Sequence, residues 1–291
     1  MQVVFHLGAE CTDDDRLVRS LLRDRESHLA RGVAIPAPGR YRATLLQAVD
    51  TLEGAGPDIR PPAIPVDLFA DADDTARIVF SQPALLGPAW EAGTPAALHP
   101  RAGLRAAILA RLFPGAEIAF LMALRNPATL VPALAAPGPG ATQAAVPIAA
   151  DPLGLSWLPA VTALREAVPE AQIILWCNED APLIWPEILR LAAGLGPDDP
   201  VPAGSDLTAA LLTAEGAARL AAYLARHPPR DAAASRHVFR AFLERFAAPG
   251  ALETEIGLPG WDEALVAELT RIYDNDCEII ARLAGVDMIL P

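Results

Sequence analysis

The sequence predicts an α/β protein: a parallel sheet wound with crossover helices over roughly its first two thirds, then a mostly helical last third. Three observations predict it. An apolar run, Gln2 to Leu7, ends in Gly8 and passes directly into a helix start. The order helix, short turn, apolar strand occurs twice in mid-chain, as "RAAILARLFPGAEIAFLMALRNP" and "AVTALREAVPEAQIILWCNED". Crossover connections between parallel strands read this way, and the two stretches are not a repeat. After Gly196 the periodicity is helical with no clear strand until the last few residues. No charged or Ser/Gly-rich linker divides the chain, so residues 1–291 are expected to form one domain, with an α/β core over 1–195 and a helical part over 196–291.

Each element has its own signal. Leu17, Val18, Leu21, Leu22 and Leu29 recur at helical spacing, predicting a helix over 13–30 with Asp13 or Thr12 as N-cap and Gly32 as stop. Val33 to Pro36 is a short extended piece. Pro38 to Arg42 reads as a polar turn before a helix over 43–52, and the Gly and Pro density of 54–65 marks a loop. A helix over 67–76 leads into the β-branched strand Arg77 to Ser81, stopped by Gln82-Pro83. After a loop over 88–95 comes a helix over 101–113, broken by Pro114-Gly115, and then the strand Glu117 to Leu124. Residues 136–151 carry Pro137, Gly138, Pro139 and Gly140 and read as a flexible loop. A helix over 156–168 precedes the strand Gln172 to Cys177, and another helix, despite Pro186, covers 182–194. A loop over 197–205 precedes helices over 213–225, 233–247 and 262–283, and Val286 to Leu290 can add a final strand.

Composition narrows the function classes. The 52% apolar content supplies a large core, and the net charge of −13 with pI near 4.8 argues against nucleic acid and anionic membranes, both of which need a basic footprint. Small molecules or proteins are the expected partners. All 23 basic residues are arginine, so no P-loop lysine, Schiff-base lysine or lysine general base exists in this chain. Cys11, Cys177 and Cys277 are far apart and lack CxxC spacing, signalling neither a disulfide framework nor a zinc site; a reducing cytoplasm fits. The N-terminal run is too short for a signal peptide or a span.

The first loop carries a contradiction. A strand ending in Gly before a helix is where α/β proteins hold phosphate, because N–H groups and the helix dipole point at the anion. Here that spot reads Gly8-Ala9-Glu10-Cys11-Thr12 and then Asp13, Asp14 and Asp15. The aspartates suit a helix start by complementing the dipole. With Glu10 they are also a candidate divalent-metal cluster, although consecutive side chains diverge.

The succession of "FHLGAECTDDDRLVRSLL…LARGVAIP", "RLFPGAEIAFLMALRNPATLVPAL" and "SWLPAVTALREAVPEAQIILWCNEDAPLIWPEIL" resembles the bacterial sulfotransferase family, over roughly residues 2–195. The resemblance implies a three-layer P-loop NTPase-like fold and the donor PAPS as cofactor, cradled by a Lys-x-Gly-Thr-Thr loop. On this sequence the lysine position falls at Cys11, the glycine at Asp13 and the threonines at Asp14 and Asp15, so each donor-binding side chain is replaced. The family's Arg-x-Pro segment is kept as Arg125-Asn126-Pro127, but the serine that helps hold the 3′-phosphate is Ala133. The acid that often follows the Ser-ended strand is missing, since Gln82-Pro83 follows Ser81. Glu179-Asp180 is kept and is expected to fix its loop.

The resemblance thus implies a degenerate donor site formed by Gly8, Ala9, Cys11, Thr12, Asp13, Asp14, Asp15, Arg16 and Arg125. Two readings follow: a non-catalytic relative that binds a ligand or protein, or an active sulfotransferase using backbone N–H groups, Arg125 and Arg16 or Arg40 for a hydroxylated acceptor. A metal-dependent activity of the acidic loop is a third. His6 and Glu10 are the catalytic candidates; His6 also reads as a core histidine. Arg125 closes a strand at the sheet's carboxyl end, where open α/β folds bind ligands. Cys11 sits at a helix start that lowers thiol pKa, among acids that raise it. Arg40, Tyr41 and Arg42 form a basic-aromatic turn suited to an acidic ligand, or a solvated turn with Tyr41 packed.

Overall fold

The computed structural model describes residues 1–55, 64–65, 68–70, 74–89, 97–135, 152–197, 199–254, 256 and 258–291. Its centre is a six-stranded, all-parallel sheet in the order β2-β3-β1-β4-β5-β6. The strands are β1 (Gln2–Gly8), β2 (Val33–Ala34), β3 (Arg77–Ser81), β4 (Glu117–Leu124), β5 (Gln172–Cys177) and β6 (Val286–Ile289). β1 lies in the middle, with His6 opposite Ser81 on one side and Leu121 on the other. These strands are apolar along almost their whole length because both faces are covered. Helices α1 (Arg16–Arg23) and α7 (Ala181–Ala193) cover one face. On the other lie α3 (Pro38–Ala55), α4 (Ala102–Leu112) and α6 (Leu158–Ala167), with α5 (Pro127–Ala135) and α11 (Glu263–Ile280) alongside. The result is a three-layer, P-loop-like α/β fold.

One core is built on Phe5, Phe80, Phe113 and Phe120, whose rings lie 5.6–5.8 Å apart around Phe5. Trp185, Leu17 and Val18 anchor the opposite layer. A small separate cluster, Leu212, Leu220 and Phe239, serves α8 (Asp206–Ala210), α9 (Ala214–Arg226) and α10 (Ala232–Phe246). The last third is therefore not all peripheral: α11 and β6 return to the sheet and its main core. Among the described residues no helix is long and apolar enough to cross a membrane.

Several elements depart from the pattern in the sequence. The helix expected over 13–30 begins at Arg16 and breaks at Asp24 into α1 and α2 (Arg25–Leu29). The polar turn expected over 38–42 is instead the first turns of α3: Pro38 suits a first helical turn, and Tyr41 is fully buried against the sheet. The helix expected over 67–76 is not formed by its described residues: 68–70 close a single tight turn and 74–76 run from a turn into β3, while 67 and 71–73 lie outside the described residues. The loops over 54–65 and 88–95 lie mostly, and 136–151 wholly, outside them.

Candidate functional site

In this strand order the connection from β1 leaves toward β2 and that from β4 leaves toward β5, so the carboxyl ends of β1 and β4 flank a topological switch point. The loop Ala9 to Asp15 and the turn Arg125 to Pro127 meet there. Gly8 opens the loop at φ +79°, and a Cβ on it would lie 2.9 Å from the Pro83 Cβ, so only glycine fits. Cys11, Asp14 and Asp15 also take positive φ (58°, 49° and 64°), making the loop a tight curl.

The chain's own groups fill that curl. The Thr12 hydroxyl donates to the Ala9 carbonyl at 2.7 Å. At the start of α1, the Arg16 N–H goes to the Asp13 carbonyl (2.9 Å), the Leu17 N–H to the Asp13 carboxylate (2.9 Å) and the Arg19 N–H to the Asp15 carbonyl (3.0 Å). The Arg16 and Leu17 N–H groups are among the donors that an anion at a helix N-terminus would use, while that of Arg19 makes the first regular helix bond. Asp15 turns away from the helix and takes both ends of the Arg42 guanidinium, at 3.0 and 2.5 Å. Arg42 Nε also donates to the Ser81 carbonyl at 3.0 Å, and this pairing holds the Asp15 carboxyl below its ordinary range. Asp14 is exposed, and its carboxylate has no hydrogen bond or ion pair among the described residues. A polyanion placed here would meet Asp13, Asp14 and Asp15.

Arg125 is at the site but engaged. Its guanidinium donates to the Cys11 carbonyl and, at 3.1 Å, to Thr129 Oγ1; its own carbonyl accepts the Trp157 indole N–H at 2.8 Å. Behind it, Glu179 accepts from the Asn126 N–H and the Tyr273 hydroxyl, each at 3.0 Å, so this carboxylate fixes the β4–α5 turn as its position after β5 suggests. Ala133 lies on α5 and offers no hydroxyl.

His6 is fully buried, with Nδ1 2.9 Å from Ser81 Oγ, and its ring stacks on Trp176. Burial pulls its pKa down and it has no access to solvent, so it is a core group rather than a surface base. Tyr41 completes the bracing: its hydroxyl donates to the Ser81 carbonyl at 2.8 Å and accepts the Ser81 N–H at 2.9 Å. Burial raises the Glu10 carboxyl, and burial also raises the Cys11 thiol against the pull of Arg125, leaving Cys11 a poor nucleophile. Among the described residues no three His, Cys, Asp or Glu side chains gather to hold a metal ion. The sequence gives no hint that Cys177 and Cys277, 100 positions apart, bring their sulfurs to 3.7 Å as free thiols.

Compared with known proteins, the chain matches no family model, no curated protein and no solved structure.

Proposed function

We propose that this chain is a sulfotransferase-like protein whose phosphosulfate-donor site has been dismantled, and that it acts as a non-catalytic ligand- or partner-binding relative. The observation that carries the reading is the self-filled loop: the Asp13 carboxylate takes the Leu17 N–H that a bound anion would use, and Asp15 takes Arg42, a cation beside the loop. The order and spacing of the family-like segments support the kinship, and the parallel three-layer fold agrees with it. The residues present do not suit PAPS. No lysine reaches the loop, three aspartates surround it, and Arg125 is committed to the Cys11 carbonyl, which removes most of the charge complementarity that phosphosulfate transfer requires.

Calorimetry with 3′-phosphoadenosine 5′-phosphate tests this directly. No binding at submillimolar concentrations is expected from the unaltered chain. Micromolar affinity that disappears in Arg125→Ala would overturn the proposal in favour of an active sulfotransferase.

A further inference from the structure

The flank of α1 turned away from the crevice presents a second feature. A cavity of about 560 Å³ is walled by Arg16, Arg19, Ser20 and Arg23 from one face of α1, with Trp185 of α7 and Asp206 and Leu207 of α8 opposite. Three arginines against a single carboxylate make it basic on a protein of net charge −13. Arg23 pairs with Asp206 and Arg19 donates to the Asp14 and Asp15 carbonyls, whereas the Arg16 guanidinium has no hydrogen bond or ion pair among the described residues.

Ser20 and Arg23 also wall a second, smaller cavity of about 190 Å³, so the two lie end to end along α1. Its character is different. Leu21, Leu189, Leu195, Val201 and Ala203 make it mainly apolar, with Asp24 on its wall, and His28 in its lining is 4% exposed with Nδ1 lacking any partner among the described residues.

We propose that these adjoining cavities bind an amphipathic anion: a carboxylate or phosphate head held by the unpaired Arg16 guanidinium with Arg19 and Arg23 beside it, and a short acyl or aryl body in the apolar end. Guanidinium suits both heads, since it pairs with either in two parallel hydrogen bonds. The apolar end supplies a body's worth of surface removed from water, and His28 Nδ1 offers one polar contact for a ligand that carries a hydroxyl or carbonyl along its chain. Arg16 is common to this cavity and to the expected donor site, but the ligand here carries no adenosine, so the two readings are tested with different probes.

Calorimetry with octanoate and octyl phosphate, each below its micelle-forming concentration, tests it beside octanol and inorganic phosphate as half-ligands. At least one octyl anion is expected to bind in the micromolar range, about a hundredfold tighter than either half-ligand; the tighter of the two identifies the head. Arg16→Glu is expected to weaken that binding at least tenfold with the melting temperature unchanged. Val201→Trp, which fills the apolar end, is expected to weaken the octyl anions and leave inorganic phosphate unaffected. Octanol binding as tightly as the anions, unchanged affinity in Arg16→Glu, or no binding of either octyl anion at millimolar concentration would each overturn it.

Discussion

The two sides of helix α1 handle charge in opposite ways. At its N-terminus, where the fold invites an anion, the main donors are matched from within: Asp13 takes the Leu17 N–H, Asp15 grips Arg42, and Arg125 lies on the Cys11 carbonyl. On its outer flank, where no loop geometry invites anything, Arg23 pairs with Asp206 and Arg19 with the Asp14 and Asp15 carbonyls, but the Arg16 guanidinium beside them has no partner among the described residues. The difference teaches that a binding site cannot be inferred from the place a fold usually provides one. What matters is which groups remain unmatched once the chain has satisfied itself, because a matched ion pair must be broken before a ligand can use it.

Arg42→Ala breaks this contrast most strongly. It leaves the Asp15 carboxylate and the Ser81 carbonyl without their guanidinium, and a loss of about 2–3 kcal/mol is expected, below the value for a fully buried pair because Asp15 is partly exposed. Arg16→Ala on the flank should stay within about 0.5 kcal/mol. Urea unfolding of both variants measures the difference, and equal losses would erase the distinction between matched and unmatched arginines.

Reversing the match should reopen the crevice. In Asp15→Ala the Arg42 guanidinium loses its partner beside the start of α1, so sulfate is expected to bind about tenfold more tightly than to the unaltered chain, equivalent to about 1.4 kcal/mol. Melting temperature against sulfate concentration, at constant ionic strength set with chloride, reports it. No gain would mean that Asp13 and Asp14 alone exclude anions.

Acid sharpens the same point more gently. Hydrogen bonding from Arg42 lowers the Asp15 pKa in the folded protein, so its contribution is fully present above the unfolded value near 3.8 and is lost as pH falls through the folded one. For a carboxylate this exposed the step is expected to be about 1 kcal/mol or less. Asp15→Asn should remove that step from the stability curve between about pH 5 and about pH 2, across the carboxylate range, and an unchanged curve would assign the pairing no energetic weight.

How much of this was legible follows from which contacts are local. The strands over 77–81, 117–124 and 172–177 stand out because each is an apolar run closed by a breaker or polar turn, and the structure keeps those bounds. Asp13 serving the helix start is equally local, four residues from the N–H it accepts, although the N-cap position expected at Asp13 or Thr12 falls at Asp15. The Arg40 to Arg42 segment misleads because what decides it is distant: Tyr41 and Arg42 bond Ser81, about 40 positions on, and that pull brings the segment into α3. The mate of Asp15 is likewise 27 positions away. The flank cavities needed α1, α7 and the 201–207 segment together, and no periodicity along α1 distinguishes a solvated arginine face from the wall of a cavity.

The smallest expected effect belongs to Asp14. It lies between two aspartates that have partners, at φ 49°, and only its carbonyl is used, by Arg19. Aspartate and asparagine both tolerate the left-handed region, so Asp14→Asn preserves the backbone while removing one of three adjacent charges. Stability is expected to change by less than about 0.5 kcal/mol, and any change should be upward, since the like charges of Asp13 and Asp15 no longer face a third. The same variant addresses the metal reading of the loop. If Asp14 were a ligand, Mg²⁺ or Mn²⁺ would raise the melting temperature of the unaltered chain and not that of Asp14→Asn. With Asp13 held by Leu17 and Asp15 by Arg42, two of the three carboxylates are already engaged, so both proteins are expected to ignore either cation. A cation-dependent shift abolished by this one substitution would show that the crevice recruits a ligand after all.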